Sequence, residues 1–208
     1  MNGAAHGAIG AGTGFLIANT YGADPVTTIA FVGAGTVSAL IPDLDVGGKL
    51  ANKITLSDQL LKSAASLIGT FMMILSLFQG DGNERWIGTG IGAGLLFMAQ
   101  KLSQKMMLIM TGIGVSAIGL IISKLWMILI GIYIIGAALS AHRTYTHSLL
   151  GLAFFAYIAY LFAVDMKSEM LFYVCTLSYA SHLIADMRIF PMNKKGIKLL
   201  WPFSKMNF

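Results

Sequence analysis

Eight apolar runs separated by short polar punctuation organise this chain. The first covers roughly Gly7 to Tyr21 and the second Val26 to Ile41, with Asp24-Pro25 as the turn between them. Pro42-Asp43-Leu44-Asp45 closes the second run, because Pro42 biases Ile41 away from helix. The polar stretch from Val46 to Lys62 predicts an interfacial helix. The third run spans about Ser63 to Gln79, and Gly80 to Arg85 reads as a loop. Trp86 to Ala99 is the fourth run, closed by Lys101 and Lys105. The fifth is Met106 to Ser123, punctuated by Lys124, with Trp126 as an interface anchor. Leu125 to Ala141 and Leu149 to Val164 are the sixth and seventh, and Met170 to about Asp186 is the eighth. Several runs lie near the short end of the ~17–25 residues that a membrane-spanning helix needs. The tail, Met187 to Phe208, mixes basic residues with Phe190, Trp201, Phe203 and Phe208, a pattern suited to the membrane surface.

Composition turns these runs into membrane helices. Hydrophobic residues make up 56% of the chain and charged residues 11%, less than half the ~25% of an average soluble domain. Mean hydropathy is +0.75. The expected fold is therefore all-α, a polytopic transmembrane bundle of about eight helices forming one domain over residues 1–208. The Gly10, Gly12, Gly14 and Gly88, Gly90, Gly92, Gly94 clusters follow no strand, so they read as helix-packing surfaces and not as nucleotide loops. Met1 to His6 has no basic n-region, and no cleavable signal peptide is expected. The lone Cys175 excludes an intrachain disulfide. A net charge of +5 in such a chain points to lipid contact and orientation, and no nucleic-acid partner is expected.

Alternating the eight runs across a bilayer gathers the polar clusters. His6 precedes the first run, Asp43 and Asp45 follow the second, His142 and His147 separate the sixth from the seventh, and His182 and Asp186 end the eighth. All fall on one side. That side also carries Lys49, Lys53, Lys62, Lys101, Lys105, Arg143, Arg188, Lys194, Lys195, Lys198 and Lys205, against Arg85, Lys124 and Lys167 on the other. The positive-inside rule makes it cytoplasmic, together with both termini.

His182 and Asp186 stand four apart on a predicted helix, so they share a face that can grip one ion or form a His–Asp hydrogen bond. Asp43 and Asp45, two apart, point in different directions in extended geometry; one binds metal while the other orients a neighbour, or both are a cap and a solvated charge. Asp43, nearer the membrane, is the favoured ligand. His142 and His147 are five apart and need a chain break to converge. Thr144 or Thr146 is placed to N-cap the seventh helix and set His147 in its first turn. Arg143 suits a phosphate, a carboxylate or a lipid headgroup, and Ser148 reads as a hydroxyl of the first helical turn. Gly7 and Gly10 leave room beside His6 for an ion or for a second helix. The aromatic stripe Phe154, Phe155, Tyr157 and Tyr160 reads as helix packing.

Taken together, His6, Asp43, His142, His147, His182 and Asp186 form a candidate metal set, zinc first by its donor types, with manganese or magnesium as alternatives. A divalent ion there would acidify a water. Arg143 would stabilise charge developing on a phosphoryl or acyl oxygen, and Asp45 or Asp186 would accept the proton.

In this order the pieces resemble a bacterial inner-membrane metal-dependent hydrolase family whose founding members are LexA-regulated. They are His6 with Gly10, Pro42-Asp43-Leu44-Asp45, His142-Arg143-x-x-Thr146-His147-Ser148, Ser181-His182-Leu183-x-x-Asp186 and Leu199-Leu200-Trp201-Pro202-Phe203. Ile189 departs from the pattern, standing where the family tends to place Thr, and Gly196 comes later than its glycine. The resemblance implies metal chemistry at the membrane, and with the cluster's location it leads to a hydrolase of a lipid-like ester or phosphoester. Alternatives are a transporter of metal ions or small solutes, and a non-catalytic stress-response membrane protein. Transporters usually bind near the bilayer midplane, whereas these ionisable groups lie at the ends of the runs.

Overall fold

The structure is a computed structural model that describes residues 2–44, 58–141, 144–188, 196–204 and 206–208. Among them eight α-helices and two 3-10 turns form an all-helical bundle, with no strand. The helices are α1 (Gly3–Thr20), α2 (Pro25–Leu40), α3 (Asp58–Gln79), α4 (Gly82–Lys101), α5 (Gln104–Ile121), α6 (Leu125–Leu139), α7 (Leu149–Asp165) and α8 (Glu169–Asp186). The 3-10 turns are Ile41–Leu44, continuing α2, and Tyr145–His147, preceding α7. Pro25–Leu44, Gln59–Gln79 and Gln104–Ile121 are long and apolar enough to cross a membrane, and α6 and α7 are shorter apolar helices.

Helix starts follow local chemistry. Asn2 accepts from the Ala5 amide at 2.9 Å to cap α1. Asp24 accepts from Val26 and Thr27 to cap α2, with Pro25 in the first turn, where its missing N–H costs nothing. The Thr27 hydroxyl and amide hold the Asp24 carboxyl below its ordinary range. Ser103 caps α5 through the Met106 amide.

Three boundaries differ from the sequence expectation. Ile41 stays in the right-handed helical region (φ −56°, ψ −41°) despite preceding a proline. Burial of Ile41, Pro42 and Leu44 outweighs the local bias, and the chain tightens into a 3-10 turn instead of leaving the helix. Gly82 to Arg85 belongs to α4 and not to a loop; Glu84 lies in the first turn, where the helix dipole favours acid. Of the expected interfacial helix, residues 58–62 open α3 and the rest lie outside the described residues.

Consecutive helices pair as hairpins, α1 with α2, α3 with α4 and α5 with α6. Each pair meets at glycines. A Cβ on Gly10 would sit 2.3 Å from the Gly35 carbonyl oxygen, one on Gly92 2.6 Å from that of Gly69, and one on Gly131 2.4 Å from that of Gly112. Only glycine allows backbones this close. Gly12, Gly90 and Gly94 meet nothing within 4 Å, so each cluster works through alternate positions. Gly10 therefore makes room for α2 and not for an ion.

Helix α8 packs against α1, α2 and α7, and α6 packs on α7. It buries Val174, Ser178, Tyr179, His182 and Leu183. The α3–α4 hairpin turns Leu67, Phe71 and Phe78 outward, as lipid-facing helices do. The aromatic stripe is split: Phe155 is buried and stacks on Tyr179 at 4.9 Å, whereas Tyr157 and Tyr160 are exposed. At the end of the bundle remote from the histidines, Asp165 binds Lys124 and accepts from the Trp126 indole at 3.0 Å.

The described part of the tail is tied to the bundle. Ile197 is fully buried in the core, and its backbone pairs with Phe208 at 2.9 and 3.1 Å. The Leu149 amide donates to the Leu199 carbonyl at 2.9 Å, tying the tail to the start of α7. Phe203 remains exposed.

Candidate metal centre

Five of the candidate residues come together where four helix ends meet. His6 lies within the first turns of α1, not ahead of it, because the Asn2 cap starts the helix at Gly3. Asp43 sits in the 3-10 turn after α2, at φ −84° and ψ 19°, and not in an extended segment. His147 ends the 3-10 turn before α7. His182 and Asp186 occupy successive turns of α8. His142, Arg143 and Asp45 lie outside the described residues.

Two imidazole nitrogens lie close to each other and to two carboxylate oxygens. His147 Nε2 lies 3.2 Å from His182 Nε2. From His147 Nε2, Asp43 Oδ1 is at 3.5 Å and Asp186 Oδ2 at 3.7 Å. From His182 Nε2 the same two oxygens are at 3.7 and 3.8 Å. Ligands at about 2.0–2.2 Å from a tetrahedral ion are spaced about 3.3–3.6 Å apart, and these five separations lie within about 0.2 Å of that range. His6 flanks the group. Its ring stacks on His182 with centroids 3.7 Å apart, and its Nε2 is 3.3 Å from Asp186 Oδ1. His6, Asp43 and His182 form a second, overlapping group with ligand atoms within 4.8 Å of one another.

The rings are aimed by their other nitrogens. His182 Nδ1 lies 2.7 Å from the Ala39 carbonyl oxygen. A carbonyl only accepts, so in the neutral ring Nδ1 carries the proton and Nε2 presents a lone pair to the cluster. His147 Nδ1 is 3.1 Å from Thr146 Oγ1. A His182 Nε2 lone pair facing two carboxylates is stabilised by positive charge, which a proton on a neighbouring imidazole or a cation can supply. Among the described residues, buried His6 makes no well-aligned hydrogen bond, its Nε2 approaching only Asp186 Oδ1 at 3.3 Å, and buried nitrogens left so are costly. The donor set thus fits a divalent cation.

Burial sets the access. The His6, His147 and His182 side chains are fully buried and Asp186 is 3% exposed, whereas Asp43 is 22% exposed. Solvent reaches the cluster at Asp43.

Two supports were not visible in the motifs. Tyr179 donates its hydroxyl to the Thr146 carbonyl. Tyr133 lies 2.7 Å from the Tyr179 oxygen and must donate to it, since Tyr179 has spent its proton. Both tyrosines are fully buried, and they pin the turn that carries His147. The α7 cap is Ser148, which accepts from the Gly151 amide at 3.1 Å, and not Thr144 or Thr146. His147 therefore precedes the helix instead of lying in its first turn. The substitution Ser148→Ala is expected to cost about 1 kcal/mol, measured by thermal unfolding in detergent; a neutral result would remove the cap from this account.

Fold and cluster define an all-helical membrane protein with buried imidazoles and carboxylates gathered at one end. The model of the YdjM inner membrane protein family matches residues 1–208, and the chain belongs to that family. A search of the curated proteins found no match, and neither did a search of the solved structures.

Proposed function

We propose that this protein is a multi-pass, membrane-embedded metal-dependent hydrolase acting on a lipid-like ester or phosphoester, with its site on the cytoplasmic side. The observation that carries the reading is the approach of His147 Nε2 and His182 Nε2 to each other and to Asp43 Oδ1 and Asp186 Oδ2 at 3.2–3.8 Å. Those four residues would hold the ion, with zinc the best match to two imidazoles and two carboxylates. When bound, a divalent ion supplies Lewis-acid polarisation and an acidified water. Ala39 and Thr146 orient the two imidazoles. Asp186 turns its second oxygen to His6, a pair suited to accepting a proton from water and passing it on. Asp43, at the exposed edge, lies where substrate would meet the cluster. Arg143 contacts the phosphoryl or acyl oxygen in this proposal, and Asp45 is a further proton acceptor. Placement at helix ends favours an enzyme over a transporter.

The test is metal analysis after metal-replete purification, paired with assays of aryl ester and phosphoester hydrolysis in mixed micelles. We expect stoichiometric divalent metal and hydrolysis that chelator abolishes and metal restores. Wild-type protein without stoichiometric metal would sink the reading.

A further inference from the structure

An apolar cleft of about 300 Å³ opens between α2, α6, α7 and α8. Its walls include Gly33 of α2, Ile41 of the 3-10 turn that continues it, Trp126 and Ile130 of α6, Phe155 of α7 and Cys175 of α8. The function proposed above does not use it.

Three features say what occupies it. The α2 wall belongs to the Pro25–Leu44 stretch that is long and apolar enough to span a membrane, so the cleft lies at hydrocarbon depth, where a polar ligand would pay heavily for desolvation. Its mouth is on the outer face. Gly33 is exposed, a Cβ there would meet nothing within 4 Å, and Val37 is 51% exposed. Its upper wall is Ile41, two residues before Asp43, and Ser38 of the wall adjoins Ala39, whose carbonyl orients His182. From Gly33 to Ile41 the wall is about 12 Å long at the helical rise of 1.5 Å per residue. A chain lying along it would run parallel to α2 and deliver its polar end to the Asp43 edge of the cluster.

We propose that this cleft binds one acyl chain of a membrane phospholipid and so sets the depth at which the lipid's ester or phosphoester end meets the His/Asp cluster. The inference rests on the hydrolase reading for what happens at that end, but the binding itself does not. At this volume the cleft lies at the lower limit of ligand pockets, suited to an aliphatic chain and not to a headgroup.

The test uses the full-length protein in phosphatidylglycerol vesicles doped with phosphatidylglycerol carrying a mid-chain diazirine. After photolysis, labelled residues are located by mass spectrometry. Label is expected at Ile130, Phe155 or Cys175 in excess over Leu177, which lies on the same helix as Cys175 but is 51% exposed to the surroundings. Gly33→Phe places a ring at the mouth without a backbone clash, and should lower cleft labelling about tenfold or more, as filling a hydrophobic pocket against its ligand does, while leaving Leu177 labelling unchanged. Ala159→Phe, on the opposite wall, should do the same. Equal labelling of the cleft and Leu177, or cleft labelling unchanged in folded Gly33→Phe protein, overturns the proposal. Metal content is read on the same samples. Metal-free protein with a labelled cleft removes the hydrolase reading alone; metal-loaded protein with an unlabelled cleft removes the acyl site alone.

Discussion

Replacing His147 by alanine is expected to lower divalent-metal affinity by well over 100-fold, more than about 2.8 kcal/mol at about 1.4 kcal/mol per decade. His147 Nε2 makes three of the cluster's close ligand–ligand approaches, to His182, Asp43 and Asp186. Under the proposed function its loss removes a ligand and leaves Asp43 and Asp186 with one imidazole fewer between them. Thr146→Val should cost less, about 10–100-fold, the usual price of losing the group that orients a ligating histidine. The ordering of the two variants is the informative part. It is measured by competition with a chromophoric chelator, with far-ultraviolet circular dichroism to establish that both variants fold. Equal, small effects would mean that the imidazole–carboxylate cluster is a hydrogen-bonded network that needs no ion.

The second large effect is expected far from any ionisable group. Gly10→Val places a Cβ 2.3 Å from the Gly35 carbonyl oxygen and 2.5 Å from the Ala39 Cβ. Neither is the far end of a flexible side chain, so α1 and α2 must separate. Overpacking of this kind costs about 3 kcal/mol or more at a seam with no slack. Gly12→Val, one ridge away and with nothing within 4 Å, should stay within about 0.5 kcal/mol of wild type. Thermal unfolding in detergent separates the two. Metal binding should fall with Gly10→Val alone, because α1 carries His6, and α2 carries both Ala39 and the turn holding Asp43. If both variants melt together, the glycine seam is not what sets the hairpin.

Much of the architecture was legible because its causes are local. Runs of apolar residues cannot remain in water, and polar interruptions mark where each helix can end. That is why Asp24-Pro25 and the Lys167–Ser168 turn divide helices where the pattern placed them. Two boundaries differ from the pattern. The punctuation predicts that Ile41 leaves the helix before Pro42 and that Gly80 to Arg85 form a loop. Core burial in the first case and the helix-dipole preference of Glu84 in the second outweighed the punctuation.

The site was legible as residue types and as a shared end of the bundle, since His6, Asp43, His147, His182 and Asp186 fall at ends of apolar runs that alternation assigns to one side. The spacing of their ligand atoms was not. It depends on α8 lying against α1, α2 and α7 at once, and on glycines that bring α1 and α2 into backbone contact. Ala39 shows the limit most clearly. An alanine carries no chemical signal, yet its carbonyl sets the tautomer of His182, 143 positions along the chain. The Tyr133–Tyr179–Thr146 chain and the cleft beneath Ile41 are of the same kind, each assembled from residues that read singly as ordinary core. The chain by itself determined an all-helical membrane protein with histidines and carboxylates at one end, because hydropathy and alternation are additive along a sequence. Tertiary structure alone decided which atoms face one another, because side-chain convergence depends on helix separations of a few ångströms that no local pattern encodes.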